Sequence, residues 1–214
     1  MKVVIVDYAM GNIQSVHNAF EHLGCNVVTS GDAMAIEGAS ALVLPGVGAF
    51  GEAIANLRER RLVEPIRDAV LNRGIPLMGI CLGMQLLADV SEERGSHKGL
   101  SLIPGEVRRV PVSEGFKLPH IGWNSVEVRK NHPFLTDIQN GDAFYFVHSY
   151  HFECDSEHVA AITNHGCDVV AAVQKGRIFA TQFHPERSHV CGLTLIRNFV
   201  EFVQKVQEEG AVRC

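Results

Sequence analysis

The sequence predicts an α/β fold: a mostly parallel central sheet flanked by helices, with an additional antiparallel strand region in the second half. Three observations carry this. Short apolar runs rich in Val, Ile and Leu alternate through the first half with stretches of helical periodicity. Turn formers close these units, as at Gly24 and Pro45-Gly46. After about residue 105 the pattern changes to short strand-like runs separated by hairpin-type turns. The chain has 214 residues, 46% hydrophobic and 20% charged. That suits one domain over 1–207 with its own core, followed by a tail, 208–214, expected to fray.

Taken in order, residues 2–7 (KVVIVD) read as a buried strand. A helix follows over 12–23, with Ile13, Val16, Phe20 and Leu23 on one face and Gly24 as its stop. Residues 26–29 and 40–44 are strands, the second ending at Pro45-Gly46. Residues 50–72 are helical, with an interruption expected at Pro65. Residues 75–80 form a strand that runs into a helix starting near Leu82. Short strands are expected at 106–110, 125–129, 144–152, 159–163, 168–174 and 177–183, with a tight turn over Gln174–Arg177. The last helix lies near 190–208, with Ile196, Phe199, Val200 and Val203 facing inward.

Several function classes are disfavoured. The net charge is −5 and no Lys/Arg run forms a basic patch, which argues against nucleic acid. The N-terminal apolar run stops at Asp7, too short for a signal peptide, and no segment approaches the roughly 20 apolar residues of a membrane span. A cytoplasmic protein is expected. The six cysteines are scattered without a C-x-x-C pair, so neither a disulfide framework nor a metal site is expected.

One cysteine stands apart. Residues 79–83 read Gly-Ile-Cys-Leu-Gly, where a buried strand turns into a helix. This is the G-x-nucleophile-x-G elbow with Cys81 as nucleophile. The sharp turn crowds its neighbours, so glycine fits on either side. Free N–H groups and the positive dipole end of the helix favour a thiolate, and the Leu82 N–H points where an oxyanion would form. The matching base is His184, at a strand end before Pro185 and Glu186. His184 can take the thiol proton and return it to a leaving amine, while Glu186 holds the other ring nitrogen. Among the other histidines, His148 and His151 share a strand but lack a third metal ligand. His97, His132, His158, His165 and His189 read as solvated, and His17 and His22 as surface residues of the first helix.

Residues 46–51 (GVGAFG) match G-x-G-x-x-G, but the following strand ends at Ile80-Cys81, without the acidic residue that would hold a ribose. No dinucleotide or other cofactor is therefore expected. An oxyanion loop is the better reading, because glycine lets a backbone N–H approach a carbonyl oxygen.

These residues also resemble a family. PGVGAF (45–50), PLMGICLGMQLL (76–87) and QFHPE (182–186) resemble the class I, or triad, glutamine amidotransferases across nearly the whole chain. VDYAMGNIQSV (6–16), PHIGWN (119–124) and YFVHSY (145–150) are similar to the glutaminase subunits of imidazole glycerol phosphate synthase, from histidine biosynthesis. The resemblance implies a flavodoxin-like fold and hydrolysis of L-glutamine through a thioester on Cys81. It implies an oxyanion hole at the N–H groups of Val47 and Leu82. It also implies contacts from the glutamine head group to Gly48, Gln85, Glu93, Ser149 and Tyr150, with Glu92 the competitor for Glu93. The implied partner is a (β/α)8-barrel cyclase subunit that receives the ammonia in a heterodimer. Met10, Asn12, His120, Trp123, Tyr145 and Arg187 would face it, unless Trp123 is core and His120 caps a strand. Two positions depart from the family pattern: Ala180-Thr181 stands where Gly-Val is usual, and Arg187 where Lys is usual. Arg keeps the charge but not the shape.

Three other readings compete. A glutaminase could serve chorismate, a nucleotide or a pyridoxal precursor, which 6–16 and 119–124 oppose. An elbow-cysteine hydrolase is opposed by His184-Pro185-Glu186 and Gln85. A regulatory binding module is opposed by the intact Cys81, His184 and Glu186.

Overall fold

The computed structural model describes residues 1–211. The first half alternates strand and helix as expected: β1 (Lys2–Val6), α1 (Ile13–His22), β2 (Asn26–Ser30), α2 (Ala33–Glu37), β3 (Ala41–Gly46), α3 (Phe50–Glu59), α4 (Val63–Arg67), β4 (Leu77–Cys81) and α5 (Leu82–Gln85). The second half contributes β5 (Val90–Ser91), β6 (His97–Lys98), β7 (Glu106–Arg109), β8 (His120–Ser125), β9 (Glu127–Val128), β10 (Ala143–His148), β11 (Tyr150–Glu153), β12 (Val159–Asn164), β13 (Asp168–Lys175), β14 (Ile178–Thr181) and α6 (His189–Ala211).

The main sheet has eight strands in the order β2-β1-β3-β4-β14-β13-β12-β9. Its first five run parallel; β13, β12 and β9 continue it antiparallel. Alternation along the strands sorts the core onto two faces. Val4, Val6, Leu42 and Leu44 pack toward α2, α3 and α4; Val3, Ile5, Val43, Met78 and Ile80 pack toward α1 and α6. Each such side chain contributes about 1.5–3 kcal/mol through burial, so the parallel strands have little freedom to shift. A two-stranded ribbon pairs β10 with β8, and a four-stranded sheet runs β11-β7-β5-β6.

Several local expectations change. The break in 50–72 falls at Arg60–Leu62, not at Pro65. Pro65 sits in the first turn of α4, where its missing N–H costs nothing, and the segment ends in a π-helical turn, Asp68–Asn72. The helix after Cys81 is a single turn. The strand expected over 144–152 is divided at Ser149 between the ribbon and the four-stranded sheet. The short α2, β5 and β6 carry too few periodic residues to be legible in the sequence, and the strand expected over 125–129 falls across the end of the unexpected β8 and the two-residue β9. Of the tail expected to fray, 208–211 continues α6; residues 212–214 lie outside the described residues. Among the described residues, no helix is long and apolar enough to cross a membrane.

Candidate active site

Three adjacent parallel strands build the site by ending side by side. Gly46 at the end of β3 is in register with Cys81 at the end of β4, and Thr181 of β14 with Ile80. The glycine loop, the elbow cysteine and the His-Pro-Glu turn therefore meet because the sheet brings them there.

Cys81 adopts φ 53° and ψ −108°, an uncommon region for a residue with a side chain. Its flanking glycines are required by contact. A Cβ on Gly83 would lie 1.7 Å from the Leu44 carbonyl oxygen, and one on Gly79 2.9 Å from the Ala180 Cβ. The expected dipole assistance is reduced by the length of α5: four residues give little macrodipole. What remains is the Leu82 N–H, which lacks an intrahelical acceptor and borders the cleft.

The loop after β3 is held from beneath. The buried Tyr8 hydroxyl donates to the Pro45 carbonyl at 2.6 Å, and burial pushes its phenol far up, so it stays a neutral donor. Gly48 has φ +103° with Met10 packed under it. Met10 is buried and so offers no surface to a partner, whereas the adjoining Asn12 is exposed.

His184 is fixed through its backbone. Its N–H donates to Tyr145 O at 2.9 Å, and its carbonyl accepts from Ser188 Oγ at 2.6 Å. Its Nδ1 lies 2.8 Å from Glu186 Oε1. The carboxylate accepts, so Nδ1 carries the proton. Burial alone would lower this histidine; the interaction with the Cys81 sulfur beside it, the hydrogen bond to Glu186 and the negative charge of both overcome that and raise it to about 10. His184 Nε2 and Glu186 Oε2 are buried without a hydrogen-bond partner. The two residues border a void of about 10 Å³ that Asn12, Gly46 and Ile80 also line.

In front of Cys81 opens a cleft of about 360 Å³. Val47, Gly48 and Leu82 line one side, and Gln85, Glu93, Ser149 and Tyr150 line the rest. Glu93, not Glu92, reaches it: Glu93 Oε2 accepts from the Phe50 N–H at 2.7 Å, while Glu92 faces Arg108 at 3.8 Å. The sequence reading missed Arg94, Arg109, Pro119, Val147 and His148, which also border the cleft. Arg94 lies in an irregular turn that carries no pattern; Arg109 ends β7, a strand the sequence does show, but nothing local says that this end reaches the cleft. His148 adjoins Ser149 within YFVHSY, and that adjacency was the available signal.

His148 and His120 are both buried and form a chain with determined protons. Tyr150 O accepts from His148 Nδ1 at 2.9 Å. The neutral ring must then accept at Nε2, so His120 Nδ1 donates to it at 3.0 Å, and Asn124 Nδ2 donates to His120 Nε2 at 3.2 Å. Burial lowers His148 to about 3 and His120 to about 4, which keeps both neutral. His120 is thus no strand cap. Nor are all the histidines read as solvated exposed: His158 is buried, and His165 stacks on His120 at 4.0 Å. Among the described residues, no group of three or more His, Cys, Asp or Glu could hold a metal ion.

Trp123 is 49% exposed and Ile121 60%, so Trp123 is not core. Trp123 stacks on His189 at 4.9 Å, and the Arg187 guanidinium lies 4.5 Å over the Tyr145 ring. These residues form a patch beside the His184 turn.

An elbow thiol, a histidine–carboxylate pair and a polar cleft together equip the site for acyl transfer through sulfur. The family described as glutamine amidotransferase class-I matches residues 4–202. The chain is 44% identical over 209 residues to imidazole glycerol phosphate synthase subunit HisH of Moorella thermoacetica, covering 97% of this chain and 98% of that one. It is 47% identical over 201 residues to the HisH subunit of Geobacillus kaustophilus, covering 92% and 94%. Among solved structures, a glutamine amidotransferase superposes with a TM-score of 0.74 at 21% identity, covering 94% of this chain and 98% of that one. A chain of PurLQS from Thermotoga maritima superposes with a TM-score of 0.71 at 20% identity, again covering 94% and 98%.

Proposed function

The chain belongs to the class-I glutamine amidotransferases, among the HisH subunits of imidazole glycerol phosphate synthase, and from that premise we propose how its residues hydrolyse L-glutamine and where the ammonia goes. The observation that carries the proposal is the meeting of the strained Cys81 elbow with the His184–Glu186 pair at neighbouring strand ends.

His184, raised to about 10, holds on its Nε2 the proton that Cys81 gives up, which leaves the sulfur ready to attack. The sulfur attacks the side-chain carboxamide carbon of glutamine, and the oxyanion is held by the N–H groups of Val47 and Leu82. His184 returns its proton to the nitrogen as the C–N bond breaks and ammonia leaves. Water then attacks the thioester, giving its proton to His184, and the sulfur is released with glutamate. Glu186 holds the imidazole in the tautomer this exchange needs. The glutamine head group lies among Gly48, Gln85, Glu93, Ser149 and Tyr150. Glu93 supplies a negative charge for the ammonium, and Arg94 and Arg109 positive charge for the carboxylate.

The ammonia is passed to a (β/α)8-barrel cyclase subunit. The docking surface is the patch of Asn12, Trp123, Tyr145 and Arg187, with Ile121 and Val190 adding exposed apolar area. His120 acts from behind the ribbon. Trp, Tyr and Arg are the residue types that most often carry interface energy.

The test is glutamate release from glutamine by the purified chain, alone and with a histidine-pathway cyclase subunit plus its nucleotide ligand. Strong stimulation that vanishes in Cys81→Ala is expected. Activity indifferent to the cyclase would move the glutaminase to another acceptor.

A further inference from the structure

Gln182 precedes the His184 turn by two residues and is fully buried beside the nucleophile. Its Nε2 lies 3.7 Å from Cys81 Sγ, and its Oε1 accepts from Gln85 Nε2 at 2.9 Å. Gln85 Nε2 also donates to Tyr150 O at 2.9 Å. An amide can present either its oxygen or its nitrogen to a neighbour, so its orientation must be argued from its partners. Here the partners decide it. The Tyr150 carbonyl can only accept, so Gln85 must turn its NH₂ toward it. That NH₂ uses its second hydrogen on Gln182, which must therefore present its oxygen there. Gln182 is left with its NH₂ facing the sulfur. Reversing either amide would set two donors or two acceptors face to face inside the protein, leaving buried polar groups unsatisfied. The Tyr150 carbonyl is itself fixed by His148 Nδ1.

The sulfur has a second neighbour. Val147 O lies 3.9 Å from it and can accept from the thiol. A carbonyl there favours S–H, whereas an amide N–H favours the anion. We propose that Gln182 is a catalytic residue of the glutaminase reaction, donating an N–H to the Cys81 sulfur in an orientation imposed through Gln85 by the Tyr150 carbonyl. The inference rests on the reading of Cys81 as nucleophile. The amide transfers no proton; that exchange stays between Cys81 and His184. Gln182 stabilises the sulfur while it is an anion: before attack, and again as it leaves the thioester. With a single turn of helix behind Cys81, this side-chain donor takes over part of what a longer helix would supply.

The test is alkylation of Cys81 by iodoacetamide, followed residue by residue across pH, in the full chain. Gln182→Met keeps the volume and removes the donor; Gln182→Glu keeps the shape and replaces the donor by a carboxylate. Alkylation near neutral pH is expected to fall about tenfold in Gln182→Met, the size of a lost hydrogen bond to a charged group. Its pH profile should move to higher pH. Gln182→Glu should move further in the same direction. In cyclase-stimulated turnover, kcat should fall with KM little changed, because the side chain touches the nucleophile and not the cleft. Circular dichroism and melting verify that each variant is folded; if Gln182→Met does not fold, Gln182→Glu carries the same test. An unchanged alkylation profile in a folded variant would overturn the proposal. Wild-type Cys81 reacting no faster than Cys191 would instead remove the nucleophile reading beneath it.

Discussion

The parallel half of the main sheet and the ribbon region supply the two walls of one site by different means. On the parallel side, position is set by backbone. Gly46, Cys81 and the His184 turn stand at the ends of β3, β4 and β14, and steric contact fixes them to within a methyl group. On the ribbon side, position is set by side-chain hydrogen bonds. Asn124, His120 and His148 fix the Tyr150 carbonyl through a chain that breaks if one proton is added. The first arrangement is rigid and suits chemistry that needs a nucleophile and base in constant relation. The second is conditional, and it lies beside the surface proposed to meet the partner.

The comparison breaks most visibly at the strand ends. Cys81→Ala should lower glutamate release by at least about 10⁴-fold, the scale of losing a covalent nucleophile, while its melting temperature stays near wild type. Gly83→Ala should do the reverse. Its Cβ would meet the Leu44 carbonyl at 1.7 Å, so about 3 kcal/mol of stability should be lost, read by denaturant titration. A stable, active Gly83→Ala variant would mean that the parallel wall yields where close contact says it cannot.

That wall was also the more legible one. Val, Ile and Leu runs buried on both faces announce a parallel strand, and an elbow of Gly-x-Cys-x-Gly at its end announces a nucleophile. Cys81, His184, Glu186 and Leu82 could be singled out from the residues themselves, and Val47 only through the family resemblance. The ribbon wall could not, for two physical reasons. Its strands are short, and β10 and β11 are one continuous run that changes sheets at Ser149, which no periodicity marks. Its key contacts also join residues far apart in sequence, as Gln85 to Gln182 and His120 to His148. Such contacts leave no local pattern. The same limit explains Met10, whose burial under Gly48 is a tertiary event.

The two walls should titrate in opposite directions. His148 and His120 are held below the ordinary histidine value, at about 3 and about 4. Below about pH 6.5 the unfolded chain binds protons that the fold refuses, so their stabilisation is present above that pH and lost as pH falls toward 4. His165 and His151 add to the repulsion when charged. His184 is raised to about 10, so its contribution is present below pH 6.5 and lost as pH rises through 10. Melting temperature against pH should therefore decline on both sides. His148→Gln should flatten the acid limb by a few degrees and leave the alkaline limb alone; His184→Gln should do the opposite. Both variants altering the same limb would mean that the walls are not electrostatically separate.

The smallest expected effect tests whether the ribbon is conditional in practice. Trp123 stands on β8 with its ring against His189, on the outer side of the strand that holds His120. Trp123→Ala removes exposed area without touching the cleft or the hydrogen-bond chain. Basal glutamate release should stay within about twofold of wild type, whereas stimulation by the cyclase should fall about tenfold, the cost of one central aromatic anchor. Adding His120→Asn separates the alternatives. If the ribbon reports docking to the cleft through His120, the single variant lowers stimulation and the double variant lowers it no further, because both interrupt one path. If Trp123 supplies only affinity, raising the cyclase concentration restores full stimulation in the single variant.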